Sequence, residues 1–258
     1  TNHSQQLWRG PFFFVPPEFS PRGVLPVAAK RVLILYYSYT NQTKNLLNAL
    51  AQGLEEQWVE VVWEQLRHID SLRFPIGTVW GTLVMMVLTF LRKRFPIQPI
   101  SESCFSRWDL IILAGPTWSY NPSGPLLALF DRDGRSLFQD QLVLPLISCR
   151  GYWRAHLFGL KRLLQRCGAR TTTPLVFSHP TPEPWRTIGV FLRLAGKTPH
   201  NTSSRFRRFY PRYGHSREQI IHAREIGGRL AAYIHGGTQG RDFPMPIPVP
   251  CDGNDFGD

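Results

Sequence analysis

Apolar and polar positions along this chain follow two periods, and the switches between them outline an α/β domain. Val32, Leu33, Ile34, Leu35, Tyr36 and Tyr37 form an unbroken apolar run, the pattern of a strand buried on both faces. Similar runs at 59–63, 109–115, 142–148 and 171–178 predict four more strands. Between the first two, Leu46, Leu47, Leu50 and Leu54 recur at helical spacing. Leu157, Leu160, Leu164 and Cys167 do the same before Gly168, a residue that stops helices. A last helix opens with Ser216 and Gln219 at capping-box spacing, presents Ile220, Ala223, Gly227, Leu230 and Ile234 to the core, and ends at Gly236 and Gly237. Five strands separated by helices predict a parallel sheet with right-handed crossovers.

Four stretches lack these periods. Residues 1–30 carry Pro11, Pro16, Pro17, Pro21 and Pro26 and read as an extended Pro-rich arm ahead of a domain at 31–237. Residues 238–258 read as a Pro-rich and acidic tail, suited to strapping a partner. The other two are insertions within the domain, at about 66–108 and 179–215.

The first insertion centres on an apolar segment at 77–91, bounded by Arg73 and by Arg92, Lys93 and Arg94. A helix of ~15 residues rises ~23 Å, short of a ~30 Å hydrocarbon core, so it is not expected to span a membrane. On a helical wheel Thr78, Thr82, Met85 and Thr89 make one narrow stripe and nearly everything else is apolar. Such a helix is buried almost all round in a core or dimer, lies in a membrane interface, or packs on another protein. The basic rim makes an anionic membrane surface the leading functional reading. The second insertion holds an apolar-basic segment at 184–194. Beyond it, Arg205, Arg207, Arg208 and Arg212 interleave with Phe206, Phe209, Tyr210 and Tyr213. Lipid headgroups, an acidic protein, a nicotinamide dinucleotide phosphate or plain solvent would each suit that stretch. Nucleic acid ranks lowest, because nothing else in the chain matches a nucleic-acid fold.

Composition narrows the partners. Among 258 residues, 30 Lys and Arg against 18 Asp and Glu give a formal charge of +12, which favours anionic partners. Cys104, Cys149, Cys167 and Cys251 form no C-x-x-C pair and show no zinc-like spacing to histidine. Reduced thiols in a cytoplasmic setting are expected, with no metal. Phe12, Phe13, Phe14 and Val15 are halted by Pro16 and Pro17 before a secretory h-region can form. The expected location is therefore cytoplasmic, with peripheral membrane association as its extension and self- or hetero-oligomers both open.

Candidate chemistry starts at Ser38, Tyr39, Thr40, Asn41, Gln42 and Thr43, which leave the first strand and enter the first helix. A helix start aims unpaired N–H groups at the loop mouth, and the helix dipole favours an anion there. Ser38, Thr40 and Thr43 supply hydroxyls, and Asn41 can take a left-handed turn conformation. With no lysine in the loop, a monophosphate suits it better than a magnesium triphosphate. The loop resembles the [ST]-x-T-[GN]-x-T loop of flavodoxin-like proteins. Pro116, Thr117, Trp118, Ser119 and Tyr120, after the third strand, are similar to that family's second flavin loop. Ser148, Cys149, Arg150, Gly151, Tyr152 and Trp153, after the fourth, look like its third.

The resemblance implies a doubly wound five-stranded parallel sheet of order 2-1-3-4-5, with FMN at its carboxyl edge. Trp118 and Tyr120, then Tyr152 and Trp153, would be the stacking aromatics. The implied activity is an FMN-dependent oxidoreductase with NAD(P)H as reductant, or an electron-transfer flavoprotein, docked to a membrane face or assembly. The alternative is an interaction subunit with flavin as relay or absent. Arg150 and the basic body depart from the acidic electron-transfer flavodoxins and argue against a free shuttle. Flavodoxin-family proteins labelled dialkylresorcinol condensing enzymes look similar, carrying a Phe-Pro-containing insertion before the third strand. Cys149 and His179 are candidates for redox and proton chemistry, with packing as the plainer role for each. No hydrolase triad or H-E-x-x-H motif is apparent, and no catalytic residue is assigned.

Overall fold

In the computed structural model, residues 29–69, 75–179, 181, 184–196 and 214–236 are described. The expected arm up to residue 28, Arg73, the Arg–Phe–Tyr stretch at 205–213 and the tail lie outside them. β1 (Arg31–Tyr36) is the strand the apolar run predicts, with parallel neighbours on both sides: β2 (Glu60–Gln65) and β3 (Leu110–Trp118). Its residues alternate between two cores. Val32, Ile34 and Tyr36 face one; Leu33 and Leu35 face the other. An unbroken apolar run is what a strand covered on both faces requires.

β3 also pairs with β5 (Leu142–Cys149), and β5 with β6 (Arg170–Thr171) and β7 (Leu175–Ser178). The five parallel lanes run in the predicted order 2-1-3-4-5, but the sheet has seven strands, not five. Two features make the difference. The fifth lane breaks because Val143 opposes Thr171 while Leu146 opposes Leu175, leaving one extra residue on the outer strand. Pro174 lies in that gap and has no N–H for the ladder. In addition, β3 runs past its expected end and folds back onto β4 (Asn121–Pro122), antiparallel.

α1 (Gln42–Glu55) and α7 (Arg217–His235) cover one face of the sheet. They meet at backbone distance: a Cβ on Gly53 would stand 2.0 Å from the Arg224 carbonyl oxygen, and one on Gly227 would stand 2.1 Å from that of Leu50. The expected capping box opens α7, Ser216 Oγ accepting the Gln219 N–H and Gln219 Oε1 accepting the Ser216 N–H. α3 (Gly124–Arg132), α4 (Gly134–Phe138) and α5 (Trp153–Arg166) cover the opposite face. At the amino end of the sheet, Asp109 accepts from Lys30 Nζ at 3.0 Å and from the Arg31 N–H at 2.8 Å, tying the start of β1 to the start of β3.

The insertions contribute α2 (Val79–Phe90) and α6 (Trp185–Leu194), which pack on each other beside the carboxyl edge. α2 is not buried all round. Thr82 and Thr89 are its buried residues, while Trp80 is 74% exposed, Val87 58% and Phe90 60%. The threonines tolerate burial because their own helix satisfies them. Thr82 Oγ1 donates to the Thr78 carbonyl at 2.8 Å, and Thr89 Oγ1 lies 2.9 Å from the Met85 carbonyl oxygen and 2.7 Å from Ser119 Oγ. Among the described residues, no helix is long and apolar enough to cross a membrane.

Candidate functional site

The strand order reverses between β1 and β3, and a ligand crevice in such sheets lies at the carboxyl ends beside that reversal. All three expected loops arrive there. Asn41 sits at φ 59° and ψ 2°, in the left-handed region, at the N-cap of α1. Its side chain makes no cap, and the first turn of α1 carries no acidic residue. The second loop has Ser119 at φ 42° and Tyr120 at φ 72°; the third has Gly151 at φ 142° and Tyr152 at φ 56°. A non-glycine residue held there costs about 1–3 kcal/mol, and such strain gathers where side chains must be aimed.

Two adjoining cavities occupy the crevice. One, of about 150 Å³, is walled by Ser38, Thr40, Gln42 and Thr43 of the first loop and by Ser148 and Cys149 of the third, with His179, Arg193 and His215 around it. The other, of about 280 Å³, is chiefly apolar, with Met85, Met86 and Phe191 beside Ser119, Tyr120, Gly151 and Tyr152. Tyr39, Thr117, Trp118, Arg150, Val190 and Leu194 line both. The crevice is thus lined by hydroxyl, imidazole and guanidinium side chains at one end and by chiefly apolar ones at the other.

Among the described residues, the polar end has no acidic lining residue, and its positive charge comes from arginine. Burial above all, with Arg150, His215 and Arg186 adding repulsion, pushes the His179 pKa down to about 3. Burial likewise lowers His215 to about 4; its hydrogen bond to Gln219 opposes the shift and Arg150 reinforces it. Both imidazoles are neutral at pH 7, leaving the charge to Arg150 and Arg193. His215 Nδ1 lies 3.2 Å from Gln219 Oε1, an acceptor, so Nδ1 carries the proton and Nε2 accepts from Ser148 Oγ at 2.9 Å. The Gln219 amide also donates to the Ser178 carbonyl at 2.7 Å. One side chain therefore caps α7, orients His215 and reaches β7.

Gly214, at φ 111°, lies against Gln42 of the first loop, whose Oε1 accepts the His215 N–H at 3.3 Å. Its own N–H donates to His179 Nε2 at 3.0 Å. Behind the second loop, Thr117 Oγ1 meets Nδ1 of the fully buried His156 at 2.8 Å. Burial lowers the His156 pKa to about 3.

The aromatic candidates divide. Trp118 lines both cavities and is held edge-to-face by Tyr37, Tyr39 and Phe95 at ring separations of 5.5, 5.8 and 5.9 Å. Tyr120 and Tyr152 pack at 4.7 Å on the wall of the larger cavity, both substantially exposed. Trp153 opens α5, has the Arg154 guanidinium over its ring at 5.7 Å, and lines neither cavity; Asn41 shapes its loop without lining one. Cys149 Sγ sits 3.3 Å from Ser178 Oγ at the polar end. Gly214, His215, Val190, Arg193, Leu194, Met85 and Met86 join the walls without a motif that announces them. The available signals are the position of His215 directly before the capping box and the apolar-basic period at 184–194.

No protein family matches this chain, and no curated protein does. Among solved structures it is similar to a flavoprotein in complex with FMN from Lactobacillus acidophilus NCFM, at 19% identity and a TM-score of 0.44, over 57% of this chain and 93% of that one. It is similar to a flavodoxin from the domain Archaea at 12% identity and a TM-score of 0.44, over 80% and 99% of the two chains. A WrbA-like flavodoxin from Agrobacterium tumefaciens is similar at 16% identity and a TM-score of 0.43, over 81% and 99%.

Proposed function

We propose that the joined cavities hold FMN and that the protein is a flavin-dependent redox protein. One observation carries this reading: three loops far apart in the chain, each resembling a flavin loop, wall a single crevice that is polar at one end and apolar at the other. The groups present fit such a cofactor. At the polar end Ser38, Thr40 and Thr43 offer hydroxyls beside the start of α1, where Asn41 makes no side-chain cap, and no carboxylate lines that end among the described residues. At the apolar end Trp118, Tyr120 and Tyr152 offer aromatic surface to a planar ring.

Bound FMN would supply acceptance of a hydride and delivery of one or two electrons. This chain's own residues position and insulate it. Arg150 brings positive charge to the junction of the two cavities, while neutral His179 and His215, their ring nitrogens engaged by Thr181, Gly214, Ser148 and Gln219, brace the surrounding loops without adding to it. The apolar wall of Met85, Met86 and Phe191 suits an apolar acceptor. The reductant in this reading is NAD(P)H.

Reconstitution tests it. Purified protein incubated with FMN and desalted should stay yellow with about one flavin per chain, and NAD(P)H should bleach it. Protein that retains no FMN overturns the site. Protein that keeps FMN but is never reduced by NAD(P)H, while accepting electrons from dithionite, is a relay and not an NAD(P)H oxidoreductase.

A further inference from the structure

α2 is apolar on the side turned away from the protein. At 100° per residue, Val79, Trp80, Leu83, Val84, Met86, Val87, Phe90 and Leu91 span an arc of about 160°, and all are exposed. The opposite arc carries the buried Thr82 and Thr89 and the half-buried Met85 and Leu88. The apolar surface continues beyond the helix. The Phe90 ring is 6.4 Å from Tyr120, and Tyr120 is 4.7 Å from Tyr152. Phe158, 63% exposed, follows on α5 with the Arg162 guanidinium over its ring at 5.0 Å. An outward patch of this kind marks an interaction surface.

Its surroundings identify the partner. α2, α5 and α6 contain no Asp or Glu, and α5 carries Arg154, Lys161, Arg162 and Arg166. Arg92, Lys93 and Arg94 follow the end of α2, with Arg92 lying along α5 at Gly159 and Arg94 paired to Asp131. A second copy of this chain on the patch would set one basic rim against another. A cushion of acyl chains beneath phosphate and carboxylate headgroups matches both the apolar centre and the cationic border. We infer that this face docks the protein on an anionic lipid bilayer, with α2 lying in the interface. At 12 residues α2 is about 18 Å long, too short to cross. Met86, Tyr120 and Tyr152 belong both to this face and to the wall of the 280 Å³ cavity, so docking brings that cavity's mouth to the acyl boundary.

Vesicle flotation of the full chain tests the proposal without any flavin, so its failure would leave the FMN reading standing. The chain should float with phosphatidylcholine vesicles containing phosphatidylserine at least tenfold more than with pure phosphatidylcholine, and added salt should release it in part. The double variant Leu83→Glu/Val87→Glu, at exposed positions, should lose at least tenfold in partitioning with an unchanged melting temperature. If it unfolds instead, Arg154→Gln/Arg162→Gln should lower partitioning severalfold. A chain that ignores both vesicle types, variants that float like the parent, or a dimer that the double variant dissolves would each overturn the assignment.

Discussion

α1 and α2 each follow a strand of the sheet, and each buries the opposite kind of residue. α1 buries Leu46, Leu47, Leu50 and Leu54 and shows Lys44, Asn48 and Gln52 to solvent. α2 buries Thr82 and Thr89 and shows Trp80, Val87 and Phe90. For α1 the apolar stripe is the face, because a sheet and a neighbouring helix wait to receive it. For α2 apolar residues occur almost all round, so the protein could take either side; it took the threonine side, whose hydroxyls return to the helix's own carbonyls. Apolar periodicity therefore reports orientation only where a helix has a polar side to set against it.

The difference can be broken first at the α1–α7 contact. Gly227→Val would put side-chain atoms into the Leu50 carbonyl, and with backbone on both sides nothing can yield, so we expect about 4 kcal/mol or more of lost stability in urea denaturation. A loss under 1 kcal/mol would mean the helices can separate freely. Leu50→Ala, fully buried, should cost about 2–5 kcal/mol by the same measurement. Thr40→Ala/Thr43→Ala tests the loop that starts α1. Two contacts to a charged phosphate, at about 1.5 kcal/mol each, predict roughly hundredfold weaker FMN binding by fluorescence titration. Equal affinity would move the phosphate elsewhere.

Acid should loosen the fold as well. Unfolded imidazoles protonate near pH 6.5, whereas His156 and His179 in the fold resist to about 3 and His215 to about 4. The unfolded chain therefore binds more protons below pH 6.5. This stability is complete above that value and is lost as pH falls toward 4, by about 2 kcal/mol or more between pH 7 and pH 5. Melting temperatures across that range check it, and His215→Gln should flatten the profile. The smallest effect belongs to α2: Val87→Ala, at an exposed site, should change stability by no more than about 0.5 kcal/mol.

Much of the frame was readable from the chain. The run at 32–37 could only be a strand covered on both faces, and Ser216 with Gln219 announced the start of α7 because capping is a local bond between near neighbours. Asn41 was readable for the same reason: a tight turn without glycine needs a residue that tolerates positive φ. Other features depended on distant partners. His215 is a lone histidine until β5 brings Ser148 against it, and Gln219 is a capping residue until β7 offers the Ser178 carbonyl. Trp153 looked equivalent to Tyr152, yet the chain turns left-handed at Tyr152, α5 begins at Trp153, and Trp153 lines neither cavity.

The sequence by itself determined the five strand lanes, the helices α1, α5 and α7, the three loops at the ends of β1, β3 and β5, and the excess of positive charge, since each depends on local period, turn chemistry or composition. Only the tertiary structure decided that α2 faces outward, that α6 and His215 help wall the crevice, and that the polar and apolar cavities adjoin. Those outcomes depend on which surfaces meet across long stretches of chain, and no local pattern records that.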